Sequence, residues 1–352
     1  MSDKIRVKII GATGYGGVGA VELLSKHPNA EIVSLHAVAD VGKRIDEIYP
    51  HLSGLCDLVV EDAKKDTGKA DVVFFSTPDG VGMTDAKAFV NAGSRVIDYS
   101  GDFRFNNEND YAAYASRIGR ETTHKVPDLL PRSAYGVPEL HRSDIAKATI
   151  VGNAGCFAMS AILGSSPALK HKLIDPSSLI FDAKSGVSGA GKKPNPIHHF
   201  PHRYEEMNAY KIGAHQHVME VERELSAING NAVAVTFTAQ VLPIVRGIMT
   251  VVYGSLLPGV TYDKVFEAYN SFYKDEPFVQ VYGEKKTVGN RTVRGTNKCA
   301  LWINVDRRTN KMIIVSHIDN LLKGQAGNAV QCMNIMFGLP ETAGLSLVGM
   351  YP

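Results

Sequence analysis

Cys156 stands in the run Val151-Gly152-Asn153-Ala154-Gly155-Cys156-Phe157-Ala158, after a short apolar stretch and at the mouth of an apolar helical one. A helix N-terminus favours negative charge, lowers a thiol pKa from its usual ~8.5 and presents backbone amides to an oxyanion. The setting predicts a nucleophilic thiolate, against the commoner fate of cysteine as a small buried hydrophobe. Cys56, Cys299 and Cys332 lack such a setting and read as core or partly exposed residues. A second chemical feature is the loop Gly11-Ala12-Thr13-Gly14-Tyr15-Gly16-Gly17, in which Gly11, Gly14 and Gly17 have G-x-x-G-x-x-G spacing. Glycines so placed let backbone amides approach a pyrophosphate at a helix N-terminus, so the loop reads as a dinucleotide site, with a bare structural turn as the alternative. A third is the histidine set His198, His199, His202, His215 and His217. Imidazoles suit proton transfer near neutral pH, and a metal site is the rival use; His198, His199 and His202 read mainly as loop or surface residues.

These residues need elements to hold them. Lys4 to Ile10 reads as a buried strand that runs into the glycine loop, with a helix over 18–26 behind it. Strands follow at 31–37, 70–76 and 94–99, with a helix over 81–92. This alternation predicts a doubly wound parallel sheet, which binds ligands at the carboxyl ends of its strands. Residues 149–152 form a further short strand and 158–170 a helix, between which Cys156 falls. Beyond it, the β-branched stretches 178–185, 232–242, 247–256 and 312–319 are spaced like a mixed or antiparallel sheet. The Gly- and Pro-rich connector 186–213 is long enough to be functional. Leu322 to Phe337 has helical periodicity and is expected to pack back onto the first domain. An acidic residue after the second strand would bind the ribose of NAD; Asp40 sits there slightly late, and Lys43 and Arg44 follow, able to take a 2′-phosphate or merely to line a solvated turn.

The chain has 352 residues, room for two domains at roughly 100–200 residues each. Hydrophobic residues at 44% and charged residues at 21% exclude collagen-like, coiled-coil and wholly disordered chains. Lys and Arg number 38 against 36 Asp and Glu, so nothing in the balance attracts nucleic acid or acidic membranes. Four isolated cysteines without a CxxC pair argue against a zinc knuckle or redox dithiol and fit a reducing, cytoplasmic setting. Met1-Ser2-Asp3-Lys4-Ile5-Arg6 runs straight into a strand, so no signal peptide is expected. The uncharged stretch 148–169 is broken by Gly152, Asn153, Gly155, Gly164 and Pro167, which makes it a strand, turn and helix rather than a membrane span.

With Cys156 and the glycine loop in place, the sequence resembles the N-acetyl-γ-glutamyl-phosphate reductases of arginine biosynthesis over nearly its whole length. The resemblance is carried by Gly152-Asn153-x-Gly155-Cys156, by Ser185 to Gly191, and by His215-Gln216-His217 followed by Glu220. Pro243 to Gly247, Asp319-Asn320-Leu321-x-Lys323-Gly324-x-Ala326-Gly327, Ser100 to Arg104 and Tyr135 to Glu139 add to it. It implies a fold like that of glyceraldehyde-3-phosphate and aspartate-semialdehyde dehydrogenases. A Rossmann domain over 1–153 would be completed by the C-terminal helix in 322–352. A second α+β domain over 154–321 would carry a mixed sheet, the catalytic groups and the contacts of a homodimer or homotetramer. The implied reaction is reversible: a small-molecule acyl phosphate plus NADPH gives an aldehyde, phosphate and NADP.

The chemistry of the residues, beside the resemblance, suggests roles. Cys156 would attack the acyl carbon and expel phosphate. His217, or else His215, would move the proton, with Glu220 orienting the imidazole; alternating residues on a strand would share one face. Arg246 would bind a substrate carboxylate through its planar fork, a structural ion pair being the alternative. Tyr210 would line the pocket or else belong to the core, and Arg104 and Asn153 are further substrate-site candidates. Ser188 with Lys192 would meet the departing phosphate, a mobile lid without contacts being the alternative. For NADP the candidates are Gly11, Ala12, Thr13, Gly14, Tyr15, Gly16, Gly17, His36, Arg44, Ser76, Thr77, Pro78, Ser188, Gly189 and Asn320. No metal is expected. Two stretches depart from the family pattern: Thr77-Pro78-Asp79-Gly80 stands where many members have Pro-His-Gly, and His36-Ala37-Val38 replaces a Ser/Arg-containing turn. Related reductases of lysine biosynthesis, which act on carrier-bound aminoadipyl phosphate, share most of these motifs. An aspartate-semialdehyde dehydrogenase or a non-enzymatic dinucleotide sensor could be built on the same fold.

Overall fold

The computed structural model describes residues 4–65 and 69–350, arranged in two units. One runs to Ala154 and includes Gln325–Ser346; the other spans Gly155–Gly324 and includes the segment from Leu347. Met1 to Asp3 and the last two residues of the expected tail lie outside the described range.

The first unit is one parallel sheet of seven strands: β1 Ile5–Ile10, β2 Ala30–Ala37, β3 Val60–Asp62, β4 Val72–Phe75, β5 Arg95–Asp98, β6 Ser133–Gly136 and β7 Ile150–Asn153. Their order is β3-β2-β1-β4-β5-β7-β6, and every pairing is parallel. Val7, Ile9, Val72, Phe74, Val96 and Ile97 are wholly buried, as strands covered on both faces require. The helices are α1 Tyr15–Leu24, the short α2 Ile45–Ile48, α3 Gly82–Asn91, α4 Glu108–Arg117, α5 Pro138–Lys147 and, from the far end of the chain, α10 Gly327–Met336. α10 packs against both α1 and α5. The strand order reverses between β1 and β4, so the loops after these two strands flank the crevice where such sheets take ligands. β3, three residues long, was not expected; a strand this short at a sheet edge leaves almost no alternation to read.

The second unit holds a mixed sheet ordered β12-β13-β14-β11-β8-β10-β9. Its strands are β8 Ile180–Gly186, β9 Asn208–Tyr210, β10 Thr236–Leu242, β11 Ile248–Ser255, β12 Val279–Tyr282, β13 Cys299–Asp306 and β14 Lys311–Ile318. The helices are α6 Cys156–Lys170, the short α7 Phe200–Arg203, α8 His217–Asn229 and α9 Tyr262–Phe272. α6 lies along β11 and β14 and packs against α8 and α9. Along β11, buried residues alternate with half-exposed ones: Ile248, Thr250 and Val252 are buried, whereas Met249, Val251 and Tyr253 are half-exposed. Ile313 and Val315 of β14 and Trp302 of β13 are likewise half-exposed, leaving an apolar sheet face.

α6 contains Pro167, which cannot donate to the Leu163 carbonyl. The Tyr273 hydroxyl supplies that bond at 2.7 Å, and Tyr269 donates to the next carbonyl, Gly164, also at 2.7 Å. These two phenols fix the helix whose first residue is Cys156. Not all of the tail lies with the first unit, contrary to expectation. Lys323 and Gly324 belong to the second, as does the segment from Leu347, where the Met350 N–H donates to the Arg294 carbonyl at 2.9 Å.

Candidate active site

Cys156 opens α6 directly, two residues earlier than the sequence suggested. Gly155 is the N-cap, no side chain caps the helix, and its first turn carries no acidic residue. The positive end of α6 is therefore directed at a half-buried thiol. Gly155 is required by its surroundings: a Cβ there would lie 2.4 Å from His217 Nε2 and 2.8 Å from Glu220 Oε1. A Cβ at Gly324 would lie 2.7 Å from the Cys156 Cβ, so Gly324 forms a wall of the same site.

The two histidines do not alternate along a strand. His217 begins α8, and His215 lies in the turn before it. The helix wins because His217, Val218, Glu220, Val221, Glu224 and Leu225 form one buried stripe at helical spacing, and Gly230, with φ of 79°, terminates it. His215 is fixed at both nitrogens: Nδ1 accepts the His217 backbone N–H at 3.2 Å, which leaves Nε2 to donate to the Tyr210 hydroxyl at 3.3 Å. Phe157 and Phe237 pack their rings against it. Burial, and next the charge of Cys156, push the Tyr210 phenol above its ordinary pKa. His217 Nε2 lies against Gly155 and 3.9 Å from Glu220 Oε1. Glu220, 1% exposed, also accepts the Gly155 N–H at 2.9 Å. One carboxylate thus holds the backbone that presents Cys156 and faces the imidazole above it.

Strand register gathers a second group. Ile248 of β11 pairs with Ile318 of β14 on one side and Ser185 of β8 on the other, which brings residues 246–247, 319–320 and 186–188 to one end of the sheet. Arg246 directs Nη2 (3.0 Å) and Nε (3.3 Å) to Oδ1 of the fully buried Asp319, and its own side chain stays 26% exposed. Asn290 donates to the Arg246 carbonyl at 2.8 Å. Asn320 accepts the Gly247 N–H at 2.7 Å and donates to Ser188 Oγ at 2.9 Å. Gly189 follows on the same turn, and Lys192 is exposed. The sequence points to Asn320, Ser188 and Arg246 separately. It assigns no role to Asp319, Asn290 or Gly324, although Asp319 and Gly324 stand in the terminal motif that carries the resemblance.

In the first unit the glycine loop joins β1 to α1. Gly11 has φ of 85°, and a Cβ there would lie 2.2 Å from the Ser76 carbonyl; at Gly17 one would lie 2.2 Å from the Gly11 carbonyl. The Gly11 and Ala12 amides are taken by the His36 carbonyl at 2.8 and 3.0 Å, and the Gly14 amide by Gly11 at 3.1 Å. His36 therefore anchors the loop through its backbone, with its ring buried. α1 has no side-chain cap and no acid in its first turn, so the Tyr15, Gly16 and Gly17 amides face outward from a helix N-terminus. The loop after β4 adds the Thr77 hydroxyl, buried with no hydrogen-bond partner; Ser76 Oγ lies where a Gly16 Cβ would fall, and Pro78 is exposed. An uncapped helix, a cradle that side chains would fill and an orphaned hydroxyl fit a dinucleotide. Arg44 is paired with Asp46 through both carboxylate oxygens (2.7 and 3.0 Å), and Lys43 with Asp40 at 3.0 Å.

Two expected substrate residues turn inward in this unit. Arg104 donates to the Asn153 carbonyl at 2.9 Å and the Tyr99 carbonyl at 2.7 Å, bracing the ends of β5 and β7. Asn153, 1% exposed, donates to the Gln325 carbonyl at 3.0 Å and accepts from Asn328 at 2.7 Å, tying β7 to α10. Among the described residues, no three His, Cys, Asp or Glu side chains gather as metal ligands would, and no helix is long and apolar enough to cross a membrane.

Two family models account for most of the chain: the semialdehyde dehydrogenase NAD-binding domain matches residues 6–148 and the semialdehyde dehydrogenase dimerisation domain matches 156–320. The chain is 42% identical over 350 residues to N-acetyl-gamma-glutamyl-phosphate reductase of Pelotomaculum thermopropionicum, covering 99% of each protein. It is 42% identical over 348 residues to the protein of that name in Caldicellulosiruptor bescii, again covering 99% of each. Among solved structures, aspartate semialdehyde dehydrogenase II from Vibrio cholerae superposes with a TM-score of 0.73 at 16% identity, covering 96% of this chain and 99% of that one. The Candida albicans aspartate semialdehyde dehydrogenase with NADP gives 0.70 at 18% identity, covering 95% and 99%. Those structures share the fold, while the full-length identity near 40% reaches further: this chain belongs to the N-acetyl-γ-glutamyl-phosphate reductase family.

Proposed function

We propose that this protein reduces N-acetyl-γ-glutamyl phosphate to N-acetylglutamate semialdehyde and phosphate with NADPH, through a thioester on Cys156. The chemistry is supported by Cys156 at the uncapped N-terminus of α6 and by the His217 imidazole packed against the neighbouring Gly155, where an added Cβ would lie 2.4 Å from Nε2. The Cys156 thiolate attacks the acyl carbon; the C–S bond forms, the C–O bond to phosphate breaks, and phosphate leaves with that electron pair. The α6 amides stabilise the oxyanion of this step. A nicotinamide dinucleotide would supply the hydride, and Gly11 to Gly17 with Thr77 would hold its pyrophosphate and nicotinamide side. His217 holds the proton that passes to the oxygen of the tetrahedral centre when the thioester carbon is reduced and takes it back as the C–S bond breaks, which releases the aldehyde and returns the Cys156 thiolate. Ser188 and Lys192 meet the departing phosphate, and Asn320 fixes Ser188.

NADP rather than NAD is supported by Lys43 and Arg44 after β2. Both are in exposed ion pairs, which are worth little and yield readily to a phosphate. A homodimer or homotetramer is supported by the half-exposed apolar face formed by Met249, Val251, Tyr253, Ile313, Val315 and Trp302. Four widely spaced cysteines support a cytoplasmic location. The decisive assay is phosphate-dependent reduction of NADP and NAD with N-acetylglutamate, aspartate and aminoadipate semialdehydes. The highest kcat/KM is expected for the N-acetylglutamate compound with NADP. A preference for another semialdehyde overturns the substrate, and a tenfold preference for NAD, about 1.4 kcal/mol, overturns the cofactor and implicates Asp40.

Arg246 is assigned to the substrate carboxylate. Asp319 holds its guanidinium through Nε and Nη2, which sets the plane of the fork. Arg246→Lys keeps the charge and loses that plane, so kcat/KM is expected to fall about 5- to 150-fold, ~1–3 kcal/mol, with NADPH affinity unchanged. A sharp drop in melting temperature with an unchanged KM for the acyl substrate would reduce Arg246 to a partner for Asp319.

A further inference from the structure

Tyr49 belongs to none of the motifs that carry the chemistry. The connection from β2 to β3 leaves the sheet after Ala37 and returns at Val60, carrying α2 and a single turn over Pro50–Leu52. Tyr49 joins the two, with φ of −128° and ψ of 84°. The following proline disfavours helical geometry there, in keeping with these angles. Its half-buried phenol donates to the Thr13 carbonyl at 2.8 Å. Two residues on, His51 Nε2 lies 2.7 Å from Glu22 Oε1 on α1, a second tie between the same segment and the helix behind the glycine loop.

The consequence is local and specific. The Thr13–Gly14 peptide is held at both ends, its carbonyl by Tyr49 and its N–H by the Gly11 carbonyl at 3.1 Å. A peptide unit is planar, so fixing both ends fixes the plane and restricts the Thr13 and Tyr15 amides on either side. The connection that supplies Tyr49 also carries Asp40, Lys43 and Arg44. We propose that Tyr49 is a positioning residue for the cofactor: its hydroxyl sets the glycine-loop peptide that orders the pyrophosphate amides, and so couples that loop to the segment reading the ribose. This rests on the nicotinamide-dinucleotide reading of the glycine loop.

The test is Tyr49→Phe in the full-length protein, which removes one hydroxyl and keeps the ring beside His51. Binding of NADPH and of NADH is titrated by the fluorescence of the reduced nicotinamide. Kd is expected to rise three- to tenfold for both, because the pyrophosphate is common to them. kcat at saturating cofactor and KM for the semialdehyde should stay within twofold, and the melting temperature within about 2 °C. Unchanged Kd values overturn the proposal, as does a loss of kcat and melting temperature without a change in Kd, which marks a merely structural tyrosine. If the unaltered protein binds neither dinucleotide, the oxidoreductase reading itself fails, an outcome distinct from a null effect of the variant.

Discussion

Cys156→Ser is expected to lose several orders of magnitude in turnover while binding NADPH as tightly as the unaltered protein. The α6 N-terminus can draw a thiol with a pKa of ~8.5 into the thiolate range, but a serine hydroxyl stays almost wholly protonated in the same field and is a far weaker nucleophile toward the acyl carbon. The change is nearly isosteric at a half-buried position, and the phenols of Tyr269 and Tyr273 that hold α6 are untouched. The glycine loop belongs to the other unit, so its affinity for the dinucleotide should survive. The measurement pairs steady-state turnover with cofactor titration and with intact-mass analysis after incubation with the acyl phosphate. An acyl adduct should form on the unaltered protein and be absent from the variant. Activity within tenfold of normal, or an equal adduct on the variant, would remove the covalent route.

What the sequence revealed of this site follows from how local each signal is. The glycine loop and Cys156 were legible because a strand, a turn and a helix N-terminus lie within about fifteen residues of one another in each case. The exact start of α6 was not, because Cys156 and Phe157 carry no capping signature and Gly155 is a weak boundary marker. His217 misled: an H-x-H pair reads as strand alternation, and the competing helical stripe becomes clear only once Glu220 and Glu224, charged residues that a pattern search treats as exposed, are seen to be buried. The motifs suggest Arg104 and Asn153 for the substrate site, whereas their bonds run to backbone carbonyls and to Asn328. The pairing of Arg246 with Asp319 spans 73 residues and depends on the antiparallel register of β11 and β14. A one-residue slip in that register would turn the side chains to the other face, and composition does not specify it.

His217→Asn is expected to reduce kcat by about 10² to 10⁴, the usual contribution of a positioned acid–base group, whereas His215→Asn should cost less than tenfold. The asymmetry comes from the hydrogen bonds. His215 has Nδ1 filled by a backbone N–H and Nε2 engaged by Tyr210, with Phe157 and Phe237 against its ring. An imidazole with both nitrogens so engaged is expected to pack the site rather than exchange a proton with substrate. His217 instead places Nε2 against Gly155, the residue before Cys156, with the Glu220 carboxylate 3.9 Å away to favour the protonated ring. Asparagine keeps a polar group at the start of α8 but cannot carry a proton near neutral pH. The limb of the kcat–pH profile that reports this group should therefore vanish in His217→Asn and persist in His215→Asn. The KM for semialdehyde should change little in the first variant, because the proton is needed at the tetrahedral centre and not for binding. If His215→Asn proves the more damaging change and abolishes the pH limb, the proton belongs to His215, and Tyr210, at 3.3 Å from its Nε2, becomes the group that relays it.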